Sequence, residues 1–411
     1  MVSDPVSTRR IVISSGAREL RLFMVAGEHS GDHLGARLMD AINALQRGRV
    51  HYLGVGGEEM GARGLASQFP MSEVAVMGPM AILRKLPHIM RRVYQTAHAA
   101  VAAEPDAVVI IDAPEFTHPI ARRIRRRRPQ TPIIDYVSPS VWAWRPGRAR
   151  RMRGYIDHVL ALLPFEPDVH ARLGGPPCTY VGHPLIERID EIRSADGAGL
   201  AARLALDAAK PVLIVLPGSR ASEVGRLMAP FGSAIARLQG RGIMPEVLVP
   251  ALPHVRAAIA AGVADWPART HLVDGEADRF AAFRLARAAL AASGTVTLEL
   301  AVAGTPMVVG YKVDPIAAPF LRRMITAHTV VLPNLVLGEN VFKEYLQEDC
   351  TGEALGAALA DLIEDGPVRA VQTAALREVP RRMALAHGTP SEAAAAIVLR
   401  YAEERRRPPA R

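Results

Sequence analysis

Apolar residues in this chain fall into short unbroken runs, separated by stretches with helical spacing. In the first half the runs are 20–26 (LRLFMVA), 50–56 (VHYLGVG), 107–112 (AVVIID), 132–137 (PIIDYV), 158–163 (HVLALL) and 178–182 (CTYVG). Helical patterns lie between them, at about 34–46, 79–102 and 118–128. Runs that are continuously apolar, not alternating, suit parallel strands buried on both faces. The polar stretch 187–203 interrupts the pattern and reads as a linker. The alternation then restarts with PVLIVLP at 211, MPEVLVP at 244, THLVDG at 270, AALAAS at 288 and TPMVVGY at 305, and the end, 353–404, is helical. Two βα series joined by a linker predict an α/β protein. We expect two doubly wound, Rossmann-like domains facing each other, 1–187 and 188–365, with a helical tail, 366–411, crossing back onto the first.

Composition narrows the class. A chain of 411 residues, 49% hydrophobic and 22% charged, suits two soluble globular domains. Two cysteines, Cys178 and Cys350, cannot build a disulfide framework, which fits a reducing cytoplasm. No uninterrupted apolar run is long enough to span a bilayer, and residues 1–18 lack the apolar core of a signal peptide. The net charge of +9 is concentrated in RRIRRRR (122–128) and RPGRARRMR (145–153). Such clusters suit nucleic acid, an anionic membrane surface or phosphorylated substrates, or a solvated helix face. No zinc-finger or RNA-recognition spacing supports nucleic acid.

Candidate chemistry in the second half gathers at two strand-to-helix turns. In LPGSRASEVGRL (216–227), Gly218 frees the turn, and Ser219, Arg220 and the backbone amides of a helix start can grip an anion. In ASGTVTLELAVAG (292–304), Ser293, Gly294 and Thr295 stand where a diphosphate meets a helix, and Glu299 can accept two hydrogen bonds from a ribose diol. Two such turns together point to a nucleoside diphosphate. Neither matches a dinucleotide fingerprint or a Walker A loop, and LGVGGEEMG (53–61) has Glu59 in place of the third glycine.

The first half offers acids instead. Asp112 of VIIDAPEF closes a buried strand, where it can take a proton from a sugar hydroxyl or simply cap the following helix. VAGEHSGDHLGA (25–36) has the form of a phosphate-binding turn, yet carries Glu28 and Asp32. The acidic turn would face sugar hydroxyls while phosphate binds in the other half. His29 and His33 are four apart, but no third spaced ligand accompanies them, so no metal centre is assigned. His183 in VGHP reads as structural. Trp142 and Trp144 precede a basic run containing Arg145 and Arg148, a combination suited to a lipid headgroup rim or to core packing. MGPMAILRKLPHIMRRV (77–93) mixes methionine, leucine and arginine in the same way.

The ordered set AGEHSGD, VAVMG, IDAPEF, YVSPSVWAWR, LPFEP, VGHP, LPGSRASEV, ASGTVTLE, PMVVGY and LPNLVLGE, from about 24 to 350, resembles the lipid-A-disaccharide synthases, bacterial glycosyltransferases of the GT-B type. The resemblance implies a UDP-2,3-diacylglucosamine donor, a 2,3-diacylglucosamine 1-phosphate acceptor, a β-1,6-linked disaccharide 1-phosphate product and no cofactor. By motif it implies Asp112, with Glu28, as the catalytic acids and Ser30 and Asp32 on the acceptor side. Arg220 would hold the diphosphate, Glu299 the uridine ribose, and Asn334 would belong to the segment closing the donor pocket. A rim of Trp142, Trp144, Arg145 and Arg148 would meet the cytoplasmic face of the inner membrane, and an oligomer stays open. The competing readings are another UDP-sugar enzyme of this type, an N-acetylglucosaminyltransferase or an epimerase, and a non-enzymatic module for anionic lipid.

Overall fold

The computed structural model describes residues 19–46, 48–74, 79–315, 318 and 323–407, apart from the side chains of 79–84. The leader 1–18, most of VAVMG, and the side chains of Met80, Leu83 and Arg84 therefore lie outside the described residues. In chain order the first sheet and its helices are β1 (Leu20–Ala26), α1 (His29–Leu45), β2 (Val50–Val55), α2 (Glu58–Gly61), β3 (Ala66–Ser67), α3 (Pro79–Ala103), β4 (Ala107–Ile111), α4 (Pro114–Arg127), β5 (Ile133–Tyr136), α5 (Gly147–Met152), β6 (His158–Ala161), α6 (Glu166–Arg172) and β7 (Cys178–Tyr180). The sheet runs β3-β2-β1-β4-β5-β6-β7. As the unbroken apolar runs require, β4 is buried at every position and β1 at all but Arg21.

The second series is α7 (Ile189–Ser194), α8 (Gly197–Arg203), β8 (Val212–Leu216), α9 (Ala221–Gly240), β9 (Glu246–Pro250), α10 (Arg256–Val263), β10 (Thr270–Val273), α11 (Glu276–Leu285), β11 (Ala288–Ala291), α12 (Val296–Ala303), β12 (Met307–Tyr311), α13 (Leu332–Leu337), β13 (Glu344–Leu346), α14 (Gly352–Ile363), α15 (Pro367–Arg382) and α16 (Pro390–Arg406). Its sheet runs β10-β9-β8-β11-β12-β13. Both sheets are parallel and share one plan: the first strand stands between the second and a later one. The order reverses there, and the crevice beyond the strand ends at that point is where such folds bind ligands.

Two compact units result. One holds the described residues up to Pro139, with Gly154–Leu160 and the stretch from Ser391; the other holds Ser140–Arg153 and Ala161–Pro390. The tail thus divides: α15 belongs to the second unit and α16 to the first, where the Tyr401 hydroxyl meets His158 Nδ1 at 3.1 Å. The stretch read as a linker is not one. It forms α7 and α8, which bury Ile192 and Leu200 in the core of the second unit. Its polar composition conceals these apolar anchors because each helix is short enough to need only one.

Much of the basic run 122–128 has intramolecular partners. Arg122 lies over the Tyr155 ring, Arg123 over Tyr94, and Arg125 and Arg128 pair with Asp157 and Glu104. Among the described residues no helix is long and apolar enough to cross a membrane.

Candidate active site

Register brings the candidate residues of the first unit together. Ala26 at the end of β1 is paired with Ile111 at the end of β4, so the turns that follow leave the sheet side by side. They approach so closely that a Cβ on Gly27 would come within 2.7 Å of the Ala113 Cβ. Asp112 and Ala113 both take left-handed backbone conformations, φ 53° and 43°. Consecutive non-glycine residues there carry strain of the kind found at functional turns. The Thr117 hydroxyl holds the turn by donating to the Asp112 carbonyl at 2.8 Å. Asp112 is not the N-cap of α4; that position is Ala113. Its carboxylate is half-buried, accepting from the Ala113 amide through Oδ1 (2.8 Å) and from the Ser30 hydroxyl through Oδ2 (3.0 Å). Glu28, the N-cap residue of α1, and Ser30 are exposed beside it.

Asp32 has a different task from the one expected. It is 1% exposed, and its oxygens accept from the amides of Gly57 (2.7 Å), Glu59 (3.0 Å) and Met60 (3.1 Å). It therefore ties α1 to the start of α2, with its carboxylate where the helix dipole favours negative charge, and is not available to line an acceptor site. His33 pairs with Glu59 at 3.0 Å, and among the described residues no group of three ligating side chains is arranged around a metal position. His183 accepts from the Leu185 amide at 3.1 Å, a structural contact, and burial lowers its pKa to about 4.

The same register argument builds the second locus. Leu216 of β8 pairs with Ala291 of β11, so Pro217–Arg220 and Ala292–Thr295 emerge together. They wall a cavity of about 540 Å³, which Arg279 and Glu299 complete from the helix side. This is within the size range of small-molecule sites. Gly218 has φ 110°, and a side chain there would also strike Glu223. The amides of Ser219 and Arg220 are not free for an anion as expected: both point at Glu223 Oε2, at 3.1 and 3.3 Å. Glu223 Oε1 then accepts from Arg220 Nη1 at 2.9 Å, holding an otherwise exposed guanidinium at the cavity edge. At this turn the Arg220 side chain, not the Ser219 and Arg220 amides, is left to meet an anion.

Glu299 lies deep in this cavity. Its Oε2 is 3.4 Å from Arg279 Nη1 but outside hydrogen-bond geometry, so this buried oxygen has no hydrogen-bond partner. Burial raises its pKa, Arg279 opposes that shift, and Glu276 adds to it. A buried acceptor without a donor is costly, and a ligand bearing hydroxyl donors would relieve it.

Asn334 does not reach the cavity. It is fully buried, donating through Nδ2 to the Phe342 carbonyl (2.9 Å) and accepting from the Phe342 amide (2.9 Å). It fastens the 334–342 loop from within. Ser293 likewise gives its hydroxyl to the Val330 carbonyl at 2.6 Å, leaving Gly294 and the backbone at the cavity wall. Trp142, Trp144, Arg145 and Arg148 belong to the second unit, not to the first domain as expected. Trp142 packs edge-on against Phe165 and donates to Glu166, while Trp144 lies under the Arg145 guanidinium at 4.3 Å.

Two residues lining the cavity escape the sequence reading. Glu223 follows Arg220 by three positions, the spacing of a reciprocal helix cap, so a signal for it is present. Arg279, on α11, has no local signal. His254 lies outside the lining, its Nε2 2.8 Å from the Ser219 carbonyl.

Comparison with known proteins converges on one family. Residues 22–398 match the family model described as lipid-A-disaccharide synthetase. The chain is 52% identical over 379 residues to lipid-A-disaccharide synthase of Rhodopseudomonas palustris (strain BisB18), covering 92% of this chain and 95% of that one. It is 44% identical over 396 residues to that of Ruegeria pomeroyi, with 94% and 97% covered. The fold is similar to crystal structures of Acinetobacter baumannii MurG (TM-score 0.55, 16% identity, 93% and 100% covered) and of Neisseria meningitidis UDP-GlcNAc 2-epimerase bound to UDP-GlcNAc (TM-score 0.57, 12% identity, 94% and 99% covered). With the sequence match running nearly the whole length, the chain belongs to the lipid-A-disaccharide synthase family of GT-B glycosyltransferases.

Proposed function

We propose that this protein joins UDP-2,3-diacylglucosamine to 2,3-diacylglucosamine 1-phosphate, releasing UDP and the β-1,6-linked disaccharide 1-phosphate. The observation that carries the donor assignment is the second-unit cavity, with Arg220 at its edge and an unsatisfied Glu299 oxygen within. The ribose hydroxyls donate to Glu299, and the diphosphate meets Arg220. The bond from the acceptor 6-oxygen to the anomeric carbon forms as the bond from that carbon to the diphosphate oxygen breaks. Asp112 takes the hydroxyl proton, and the electron pair leaves with UDP, whose charge Arg220 stabilises. Glu28 and Ser30, beside Asp112, position the acceptor.

The same reading places the protein peripherally on the cytoplasmic face of the inner membrane. Exposed Leu86 and Tyr94 on α3, next to Lys85 and Arg91, support it. The test is disaccharide formation and UDP release from the two acylated substrates, with no metal added, for wild type and Asp112→Ala. Wild-type turnover that falls 10²-fold or more in the variant, with UDP affinity kept, is the expected result. Absence of wild-type turnover, with UDP still bound, would retain a UDP-sugar enzyme and reject this acceptor.

A further inference from the structure

A second cavity, of about 400 Å³, adjoins the first across Ser293 and Gly294, which line both. Its other walls come from Trp142–Trp144 and from the 324–332 segment. A short antiparallel bridge fastens these two walls: Trp144 pairs with Ile325, and the Thr326 amide donates to the Ala143 carbonyl at 2.8 Å. Ile325, 43% exposed, presents its apolar side chain at the rim of this second cavity.

The lining is mostly apolar. Of its polar side chains, the Ser293 hydroxyl donates to the Val330 carbonyl, the Thr329 hydroxyl to Glu344 and the Trp142 indole to Glu166, and the exposed Ser140 stands at one end. Ala143, Trp144, Met324, Ile325, Ala327 and Leu332 make up most of the rest. An apolar space continuous with a nucleotide-sugar site suits a hydrocarbon group carried by that same sugar.

Resting on the donor assignment above, we infer that this cavity seats one acyl chain of the UDP-linked donor and sets its length preference. A cavity of about 400 Å³ is within the size range of sites that hold one small apolar group. Each methylene seated in an apolar environment is worth roughly fourfold in affinity, enough for the cavity to discriminate chain length.

The experiment compares equilibrium binding of UDP, UDP-glucosamine and the UDP-diacylglucosamines of graded chain length, below their aggregation concentrations. It uses wild type, Ala327→Phe, which fills the cavity, and Ile325→Ser, which removes an exposed apolar wall without opening the core. The expected result is a gain in wild-type affinity with chain length that levels off. Ala327→Phe then loses tenfold or more for the long-chain donor, Ile325→Ser loses severalfold, and UDP affinity is unchanged in both. Chain-independent affinity in wild type, or equal losses for UDP and the acylated donor, overturns the inference. So does an Ile325→Ser effect confined to vesicle binding, which would make the patch a membrane contact. Failure of wild type to bind UDP at all would instead remove the donor assignment on which the inference rests.

Discussion

The two units use one scaffold at their ligand ends, and each divides its acids in the same way. In both, a carboxylate organises the turn by accepting backbone amides: Asp32 from Gly57, Glu59 and Met60, and Glu223 from Ser219 and Arg220. In both, a second carboxylate lies near the same strand ends without organising the turn through several amides, the half-buried Asp112 in one and Glu299, within the cavity, in the other. These second acids differ in setting. Asp112 is half-buried on a strained turn, its Oδ2 oriented by a serine hydroxyl. Glu299 is sheltered, with one oxygen that nothing reaches at hydrogen-bond geometry. The first setting suits a group that must receive a proton and the second a group that must accept hydrogen bonds from a bound diol. Strand order alone decides neither, since it is shared; the side chains at the turns do.

The largest effect should come from removing an organising acid. Asp32→Ala leaves three amides without their acceptor, that of Met60 buried and those of Gly57 and Glu59 partly so, and losing hydrogen bonds to a charged group costs about 1.5–3 kcal/mol each before relaxation. We expect about 3–5 kcal/mol less stability in urea unfolding, with UDP affinity unaltered because Asp32 lies in the other unit. Weakened UDP binding with unchanged stability would break the division between organising and second acids.

Acid should next act on both units together. His158 in the first unit and His183 in the second are each held near pKa 4, the former by burial and then Arg400, the latter by burial. Their folded values lie below the unfolded value of 6.5, so the unfolded chain binds more protons in this window. The stability is complete above pH 6.5 and is lost as pH falls towards 4, by at most about 3 kcal/mol for each histidine. His183→Asn should flatten its share of that slope, because an asparagine can accept from the amide two residues on without titrating. An unchanged slope, read from urea midpoints between pH 4 and 7, would show that His183 is not the responsible group.

Among the second acids, Glu299→Gln keeps the shape and removes the charge. Donor and UDP affinity should fall about 10- to 100-fold, the value of hydrogen bonds to a charged acceptor. The variant should also lose most of wild type's preference for UDP over its 2′,3′-dideoxy analogue. A preference left intact would move the ribose away from Glu299.

The sheets were legible because a strand buried on both faces has to be apolar throughout, and β4, β8 and β11 are, as is β1 apart from Arg21. The short β3 and β13 and the helices α7 and α8 were not, since two to seven residues with at most one buried anchor resemble a polar loop. The places of Asp112 and Arg220 just past strand ends, and of Glu299 in the helix after one, were legible because those strand ends are recognisable. Asp32 and Asn334 were misread for a common reason. Their partners, the amides of 57–60 and the backbone of Phe342, are set by tertiary packing, so a buried polar lock looks in sequence like a polar site residue.

The smallest expected effect tests the orientation of Asp112 directly. Ser30 donates to its Oδ2, the oxygen not engaged by the Ala113 amide, at 3.0 Å. Ser30→Ala removes one neutral-to-charged hydrogen bond at an exposed position, which limits the loss to about 1 kcal/mol, or roughly fivefold. If the bond orients the base, the loss falls on kcat and the KM for donor is unchanged. Ser30→Thr, which keeps the hydroxyl, should restore kcat. A purely structural role would lower stability in urea unfolding and leave kcat of the folded enzyme where it was, and a role in binding the acceptor would raise the acceptor KM instead. The three outcomes separate the acid of the first unit from that of the second: one depends on a neighbour that orients it, the other on a ligand that completes its hydrogen bonds.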